Sequence, residues 1–385
     1  MPYEFSTVGR IIVGAGSSAD APAALAELGR RPALVVSPRA AAGAAAGLVA
    51  AVRERWPAAP LTAVSGEPTL ATIAALVAPL RDAGVDCLVA IGGGSVLDSA
   101  KAAAALLTNA GDLLEYLEVV GAGRALAQPA LPLLAVPTTA GTGSEATRNA
   151  VIAAPGTKAS IRHSSLVPRI AVVDAGLMLG LDAATTAAGG MDAITQLIEG
   201  YVARRASPIT DGLALRGLQG AVVALRRAML APAELAARAV LAEAALLSGM
   251  VLANAGLGAV HALAGPLGGQ IGVPHGVACA ALLAPVTRMT LAALRRTDGT
   301  AALARYAAVA RACGATGDDA AAVAQLETLL ASLTSELGIA RLGHYGLEEH
   351  HLQPIAAAAL RTSNAKNHPV ALDEAQLCAA LAAAR

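Results

Sequence analysis

The sequence predicts two architectures in one chain: an α/β domain with a Rossmann-like parallel sheet, followed by an all-helical domain. Up to about residue 185, short apolar runs of strand length alternate with stretches of helix length, which is typical of βαβ units. Beyond that point long Ala- and Leu-rich stretches dominate and β-branched runs become rare. We therefore place the α/β domain at 1–185 and the helical domain at 186–385.

The elements of the first domain follow from runs of apolar residues and from the glycines that end them. PALVVS (32–37), for example, is continuously apolar, as in a strand buried on both faces of a parallel sheet. The predicted elements are, in order, a strand and turn at 10–16, a helix at 18–29, a strand at 32–37, one long helix to about Trp56, a strand at 61–66, a helix at 69–84, a strand–turn–helix at 86–107 and a strand running into a polar loop at 131–147.

The composition is that of a globular protein with a large core. Of 385 residues, 55% are hydrophobic and 15% are charged, and the formal net charge is zero. Such a chain is not disordered, and it offers no basic surface to nucleic acid or to an anionic membrane. The uncharged stretch at 244–265 is long enough to span a bilayer, but Gly, Ser, Asn and His interrupt it, which favours a helix inside a soluble core.

The cysteines indicate a reducing compartment. Cys87, Cys279, Cys313 and Cys378 are scattered and form no CxxC pair, so we expect buried free thiols. The N-terminus shows no basic segment followed by an apolar one, and we expect no signal peptide. Together these features predict a cytoplasmic protein.

A glycine turn lies between a buried strand and a helix in AIGGGSVLDSAK. Gly93, Gly94 and Ser95 would let backbone N–H groups approach an anion at the helix N-terminus, and a diphosphate is the natural guest. The motif is not GxGxxG, and a tight turn without a ligand explains it equally well. Asp98 and Lys101 follow on the first turns of the helix, where they either face a ligand or pair in solvent.

A second polar loop, PTTAGTGSEATRNAVI (137–152), concentrates Thr, Ser and Gly. Its hydroxyl and amide groups could bind a polar ligand, although an ordinary turn cluster has the same composition.

A metal site is the third candidate. Asp192 and Gln196 are four residues apart and share one face of a predicted helix, while His261 and His275 lie 14 residues apart further on. One carboxylate and two imidazoles suit Zn²⁺ or Fe²⁺, and Gln196 could add an amide oxygen as a fourth contact. The alternative is that Asp192 caps a helix and that both histidines are hydrogen-bonded core residues.

Four motifs in this order, GGGSxxDxAK, PTTAGTGSExT, GGxDAxTxxIE and HxxxxPLGG…PHG, resemble the iron-containing (group III) alcohol dehydrogenases. The resemblance covers nearly the whole chain, including FSTVGRIIVGAGS near the start. It implies a dehydroquinate-synthase-like fold, in which NAD(P) lies in a cleft between an N-terminal nucleotide-binding domain and a C-terminal helical domain. It also implies a homodimer or a larger homo-oligomer.

The resemblance assigns roles residue by residue. The family's Asp-His-His-His metal ligands fall on Asp192, Gln196, His261 and His275. The diphosphate falls on Gly93, Gly94 and Ser95, the nicotinamide side on Asp98 and the ribose on Lys158. Further positions that line the cofactor site are Thr138, Thr139 and Ser144.

Two departures from the family concern the metal and the proton route. The first histidine ligand is Gln196 here, and a frequent histidine four residues after the third ligand is Gly265. Maleylacetate reductases resemble this family and work without a metal, so a metal-free reductase is an alternative. We favour a retained Fe²⁺ or Zn²⁺, because three strong ligands survive at the expected places.

A third departure concerns the choice between NAD and NADP. Many relatives carry at the end of the second strand an aspartate that binds the ribose 2′-hydroxyl, and Pro38 stands there, between Ser37 and Arg39. A 2′-phosphate would meet no carboxylate and could pair with Arg39, so the two dinucleotides are nearly even alternatives.

The sequence thus predicts an NAD(P)-linked alcohol dehydrogenase or aldehyde reductase that acts on a small substrate. A metal held by Asp192 and His275 would polarise the substrate oxygen, nicotinamide would exchange a hydride with the substrate carbon, and His275 is a candidate for proton transfer. His368 is read as a surface residue. Two rival functions are a lyase like dehydroquinate synthase, disfavoured by the presence of only three lysines, and a non-catalytic NAD(P)-binding relative.

Overall fold

The computed structural model describes residues 2–154, 157–297 and 299–385. These residues form two compact units. The unit that we call the α/β unit comprises Ser6–Leu181 with Ala233–Leu246. The helical unit comprises Asp182–Pro232 with Leu247–Arg385 and the N-terminal residues up to Phe5. The predicted order, an α/β architecture followed by helices, is confirmed.

The first 181 residues hold the described strands and several short helices. The strands are β1 (Arg10–Val13), β2 (Pro32–Val36), β3 (Leu61–Ala63), β4 (Cys87–Gly92), β5 (Leu133–Pro137), β6 (Asn149–Ala154), β7 (Thr157–Arg162) and β8 (Ile170–Val173). The helices are α1 (Ala21–Ala26), α2 (Pro38–Ala42), α3 (Ala46–Arg55), α4 (Leu70–Asp82), α5 (Gly94–Thr108) and α6 (Leu113–Tyr116).

A six-stranded parallel sheet in the order β1-β8-β5-β4-β2-β3 forms the centre of the α/β unit. The three strands β2, β4 and β5 are buried along their whole length, as their continuous apolar runs require. Successive side chains enter different cores: Val35 and Ala90 pack on one face, and Leu34 and Val89 on the other. Because β4 and β5 are neighbours, the segments that follow them leave the same edge of the sheet.

Two local features differ from the sequence prediction. The long helix predicted up to Trp56 is wrong, because it divides into α2 and α3 at Gly43, whose φ of −117° and ψ of −129° are not helical. Glycine is a poor helix former, and it leaves the helix here without steric cost. The antiparallel hairpin of β6 and β7 was not predicted, since its first strand lies in the segment read as a polar loop.

The second half of the chain consists mainly of α-helices. These are α7 (Ala183–Val202), α8 (Pro208–Leu218), α9 (Ala221–Leu230), α10 (Leu235–Ala255), α11 (Ala259–Ile271), α12 (His275–Arg296), α13 (Thr300–Ala312), α14 (Asp319–Glu336), α15 (Glu349–Leu360), α16 (Ser363–Asn367) and α17 (Glu374–Ala384).

Helix α7 is the central helix of the helical unit. Asp182 caps it by accepting a hydrogen bond from the N–H of Thr185 at 2.7 Å, and the stretch 190–202 is buried without interruption. Helix α12 packs against it. Helices α10 and α12 are long and apolar enough to cross a membrane, but 67% of the most apolar window of each is buried within the protein, as in the core helices of globular enzymes.

Candidate active site

Four side chains of types that bind metals meet inside the helical unit: Asp192 on α7, His261 on α11, and His275 and Cys279 on α12. Their ligand atoms all lie within 4.8 Å of one another. Asp192 Oδ1 is 3.3 Å from Nε2 of His261 and 3.6 Å from Nε2 of His275. The sulfur of Cys279 is 3.6 Å and 3.7 Å from the same two nitrogens. We call this group the Asp-His-His-Cys cluster.

The local sequence around His275 explains how the cluster forms. His275 is the first residue of α12, and Cys279 lies one turn later on the same helix face. A Cβ atom on Gly276 would lie 2.7 Å from the carbonyl oxygen of Ala188 on α7, so glycine is needed for this close approach of the two helices. The approach brings His275 to Asp192.

The cluster is buried on every side except one. The side chains of Asp192 and His261 are 2% and 5% exposed, and Cys279 is fully buried, whereas the side chain of His275 is 35% exposed. His275 therefore forms the exposed edge of the cluster.

Glu199, two turns after Asp192 on α7, fixes the orientation of His261. Its carboxylate accepts hydrogen bonds from the backbone N–H of Val260 at 2.7 Å and of His261 at 3.3 Å, and it lies 2.7 Å from Nδ1 of His261. With the proton on Nδ1, the imidazole donates to Glu199 and directs the lone pair of Nε2 at the cluster. This is the usual arrangement behind a metal-binding histidine.

His368 is buried, and its reading as a surface residue is wrong. Its Nδ1 accepts a hydrogen bond from the N–H of Ala259 at 3.2 Å, and its Nε2 lies 2.9 Å from the hydroxyl of Thr290. Burial lowers the pKa of His368 to about 4, so the ring is neutral at physiological pH. It joins the start of α11 to α12 and Asn367 beside it accepts and donates backbone hydrogen bonds, which gives this segment a structural role.

The cluster attracts positive charge. Burial by itself would raise the pKa of Asp192, but the charge of His275 and the hydrogen bond with His261 outweigh it, so the pKa falls below its usual value. Burial opposes a charged His261, yet Cys279, Asp192 and Glu199 raise its pKa well above the ordinary value. Cys279 and Asp192 also raise the pKa of His275. A dication is a natural substitute for the protons that the imidazoles would otherwise hold. The donor set of a carboxylate, two imidazoles and a thiol therefore fits Zn²⁺ or Fe²⁺.

Gln196, the residue predicted as the fourth metal contact, lies one turn after Asp192 and is 1% exposed. Its amide oxygen accepts a hydrogen bond from the hydroxyl of Ser248 on α10 at 2.9 Å. That oxygen therefore has a protein partner already.

The glycine turn lies in the α/β unit, at the carboxyl end of β4. Gly93 precedes the 15-residue helix α5 and offers no side-chain cap to its first N–H groups. A Cβ atom on Gly93 would lie 3.1 Å from the hydroxyl of Thr139, and one on Gly94 would lie 2.6 Å from that of Thr142. The backbone of Gly93 and Gly94 therefore lies against the polar loop after β5 without side chains in between. We call this turn the glycine cradle, and its N–H groups fit a diphosphate.

Lys101, about two turns into α5, is completely buried, so it does not pair in solvent. Its ammonium donates to Ser144 Oγ, Thr147 Oγ1 and the carbonyl of Asn149 at 2.9, 2.8 and 3.1 Å. The hydroxyl of Ser144 donates in turn to Asp98. Burial lowers the pKa of Lys101 to about 8, against the attraction of Asp98 and Glu145. We call these residues the Lys101 network.

The structure brings several of the predicted cofactor residues together. Gly93, Gly94, Ser95, Thr138 and Thr139 meet at the β4–β5 edge, and the N–H of Thr138 donates to the carbonyl of Gly92 at 2.9 Å. The remaining residues have other partners: Ser37 caps α2, Arg39 donates to the carbonyl of Gly180 at 3.1 Å and Lys158 pairs with Glu67.

Two residues of the site were missed in the sequence, Cys279 and Glu199. Each carried a signal in its spacing: Cys279 follows His275 by one helical turn, and Glu199 follows Asp192 by two. A search for metal donors at one-turn intervals from each predicted ligand would have found both.

Comparisons with known proteins identify both halves of the chain. Residues 9–175 match the family model described as iron-containing alcohol dehydrogenase. Residues 186–385 match the one described as Fe-containing alcohol dehydrogenase family, C-terminal. The probable alcohol dehydrogenase EutG of Escherichia coli (strain K12) is 37% identical over 324 residues, which cover 83% of this chain and 78% of that protein.

Solved structures agree with the sequence relatives. A crystal structure of 1,3-propanediol oxidoreductase superimposes with a TM-score of 0.91 at 30% identity, and both chains are fully covered. Sulfoacetaldehyde reductase from Bifidobacterium kashiwanohense, solved in complex with NAD⁺, has a TM-score of 0.84 at 27% identity and covers 98% of this chain and 97% of its own. The fold implied by the sequence resemblance is confirmed.

Proposed function

This chain belongs to the iron-containing alcohol dehydrogenase family, and from that premise we propose which of its residues interconvert an alcohol and an aldehyde. It is an oxidoreductase that acts on CH–OH groups. The substrate is a small primary alcohol or its aldehyde. The observation that carries the proposal is the Asp-His-His-Cys cluster, a buried donor set with one exposed edge.

Asp192, His261 and His275 hold a divalent cation in this proposal. Such a cation acts as a Lewis acid that polarises the substrate oxygen. Asp192 supplies negative charge at the centre of the cluster, and Glu199 keeps the lone pair of His261 Nε2 directed toward it. Burial of Asp192 and His261 excludes water from that side. His275, the exposed member, admits the substrate, and we assign proton exchange with solvent to its Nδ1.

NAD(P) binds to the α/β unit, with its diphosphate on the N–H groups of Gly93, Gly94 and Ser95. The bound nicotinamide exchanges a hydride with the substrate carbon. The other cofactor contacts that we propose are Ser37, Arg39, Asp98, Thr138, Thr139, Ser144 and Lys158. Asp98 contributes by holding the hydroxyl of Ser144, which shapes the loop beside the glycine cradle. The relative solved with NAD⁺ supports a nicotinamide dinucleotide as cofactor.

NAD and NADP both stay candidates, and exposed Arg39 is the residue that would favour NADP, because the chain carries a guanidinium and no carboxylate at 37–39. Comparing kcat/KM for NADH and NADPH decides this point. We expect Arg39→Glu to move the ratio toward NADH by about tenfold or more, the equivalent of one charge-assisted hydrogen bond. An unchanged ratio would contradict the role of Arg39 and leave the alcohol dehydrogenase function intact.

The domain limits, compartment and assembly are proposals as well. Residues 1–185 form the dinucleotide domain and 186–385 the metal and substrate domain. The four cysteines are free thiols, which supports a reducing compartment such as the cytoplasm. The assembly that we propose is a homodimer or a larger homo-oligomer.

Metal analysis combined with a panel of small aldehydes, 3-hydroxypropanal among them, tests the function. We expect one Zn²⁺ or Fe²⁺ per chain, aldehyde reduction with NADH or NADPH, and loss of activity after chelation that the metal restores. Full activity in metal-free protein would favour a reductase of the maleylacetate type. Dinucleotide binding without turnover on any aldehyde would favour a non-catalytic relative.

A further inference from the structure

We propose that the thiolate of Cys279 takes the coordination position that Gln196 occupies by sequence, so that the bound metal has an Asp-His-His-Cys ligand set. This inference rests on the proposed function, because it concerns the metal of the same site. It adds a ligand type, a soft sulfur donor, that the sequence motifs did not predict. The chemical class that such a set favours is a borderline-soft dication, and Zn²⁺ foremost.

Four of the six distances within the cluster match the edges of a tetrahedron around one ion. With bonds of about 2.0–2.1 Å to nitrogen and oxygen and about 2.3 Å to sulfur, those edges are roughly 3.3 Å between nitrogen and oxygen and roughly 3.6 Å between nitrogen and sulfur. The two nitrogen–oxygen distances are 3.3 and 3.6 Å. The two nitrogen–sulfur distances are 3.6 and 3.7 Å. The two remaining separations are at most 4.8 Å, so four donors can approach one ion, and a substrate oxygen would be its fifth ligand.

The setting of Gln196 differs from that of Cys279. The Gln196 amide oxygen already accepts the hydroxyl proton of Ser248, and an amide is a neutral and weak ligand. The Cys279 sulfur touches both imidazoles and is fully buried. A buried thiolate needs an adjacent positive charge, and a metal at the centre of the cluster provides it.

Charge balance supports the same assignment. Within the ligand set, Asp192 alone would leave a dication with one positive charge, whereas Asp192 and the Cys279 thiolate together neutralise it; Glu199 lies outside the ligand set, against Nδ1 of His261. Glutamine at 196 therefore leaves one coordination position open, and cysteine at 279 can fill it. The fourth ligand then comes from Cys279 on α12, because the residue at that position on α7 is the amide Gln196.

Cobalt substitution tests the ligand directly. The full-length protein is freed of metal with a chelator and loaded with Co²⁺, and the near-ultraviolet band of thiolate-to-cobalt charge transfer is recorded. We expect the band in the unchanged protein and in Gln196→Ala, and its loss in Cys279→Ala. Cys313→Ala is the matched control, because it removes a cysteine from the same half of the chain outside the cluster.

Affinity and thiol protection provide readouts that do not depend on catalysis. Competition with a chromophoric chelator should show that Cys279→Ala weakens Zn²⁺ binding by about 100-fold or more, and that Gln196→Ala changes it by less than about threefold. Alkylation followed by mass spectrometry should show that Zn²⁺ protects Cys279 in the unchanged protein. The spectrum and the protection are measured on the unchanged chain, so neither requires Cys279→Ala to fold well.

The outcomes separate this inference from the proposed function. A cobalt spectrum without the sulfur band, or a larger loss of affinity in Gln196→Ala than in Cys279→Ala, overturns the inference even if the enzyme reduces aldehydes. Failure of the unchanged protein to bind Co²⁺ or Zn²⁺ overturns it too. Failure of aldehyde reduction with the sulfur band present would instead refute the proposed function and leave the ligand assignment standing.

Discussion

Two buried polar clusters, one in each unit, obtain their positive charge from different sources. In the Lys101 network the chain itself supplies an ammonium, and the groups around it are hydrogen-bonded to one another. The carboxylates of Asp192, in the Asp-His-His-Cys cluster, and of Glu199 beside it lie against the imidazoles of His261 and His275. An imidazole that ligates a metal is neutral, so the balance must then come from a cation taken up from solution.

The difference separates a cluster held together by the chain's own charges from one that requires a bound ion. The Lys101 network holds the loop after β5 to α5 through side chains of the chain itself. A cluster that is complete only with a bound ion couples folding of the site to the metal. Four substitutions test this contrast, from the largest expected effect to the smallest.

Asp192→Asn, in the Asp-His-His-Cys cluster, should have the largest effect on activity and metal content. It removes the carboxylate at the centre of the cluster, so we expect kcat/KM for a small aldehyde to fall by about 10³-fold, as the loss of several kcal/mol of transition-state stabilisation implies. Metal content should fall in parallel. Asp319→Asn, which changes an exposed residue paired with Arg311, is the control. Unchanged metal content and activity in Asp192→Asn would mean that the cluster is merely a hydrogen-bonded core.

Lys101→Met tests the Lys101 network, whose positive charge comes from the chain itself. It removes the ammonium from three acceptors and leaves Asp98 without its neighbouring cation. We expect the free energy of unfolding to fall by about 3 kcal/mol, the low end for breaking a buried pair, because burial already disfavours the charged lysine. Denaturant unfolding followed by circular dichroism measures this.

Lys366→Met, at an exposed position, is the control for Lys101→Met. Metal content should be unchanged in both variants, since both lysines lie outside the cluster. A loss of metal in Lys101→Met with no loss of stability would contradict a structural role for the network.

Glu199→Gln tests whether the residue that orients His261 contributes to metal affinity. The amide can no longer fix the protonated Nδ1 of His261 with the same strength, and we expect metal affinity to fall by about 10–100-fold. The lowered pKa of Glu199, which its contacts with His261 cause against the effect of burial, keeps the native side chain ionised. Chelator competition measures the affinity, and Glu349→Gln at the surface is the control. An affinity equal to the control would assign Glu199 to packing alone.

Gly265→Ala should have the smallest effect. A Cβ atom there meets no heavy atom within 4 Å among the described residues, and the position lies within α11. We expect the free energy of unfolding to rise by up to about 1 kcal/mol, because alanine is the better helix former. Gly94→Ala is the comparison in the α/β unit and should destabilise the protein by about 1–3 kcal/mol, since its Cβ would press on Thr142. Equal effects at both glycines would contradict the predicted difference in packing.

The sequence by itself determined that an α/β domain is followed by a helical one, and that a glycine turn follows β4. Apolar runs such as those of β2, β4 and β5 are typical of strands buried on both faces of a parallel sheet, and the glycine turn after β4 follows from local backbone requirements. The same holds for Asp192, His261 and His275, whose residue types and spacing point to a metal. These are local or periodic properties, which a linear chain displays directly.

Only the tertiary structure decided how the cluster is completed. Cys279 looked like one of four scattered thiols, and His368 like a surface residue, until α7, α11 and α12 packed together. The close approach at Gly276 sets the distance from α12 to α7, and it decides which side chains can share an ion. Such distances depend on helices that are far apart in the chain, and no pattern within one helix encodes them.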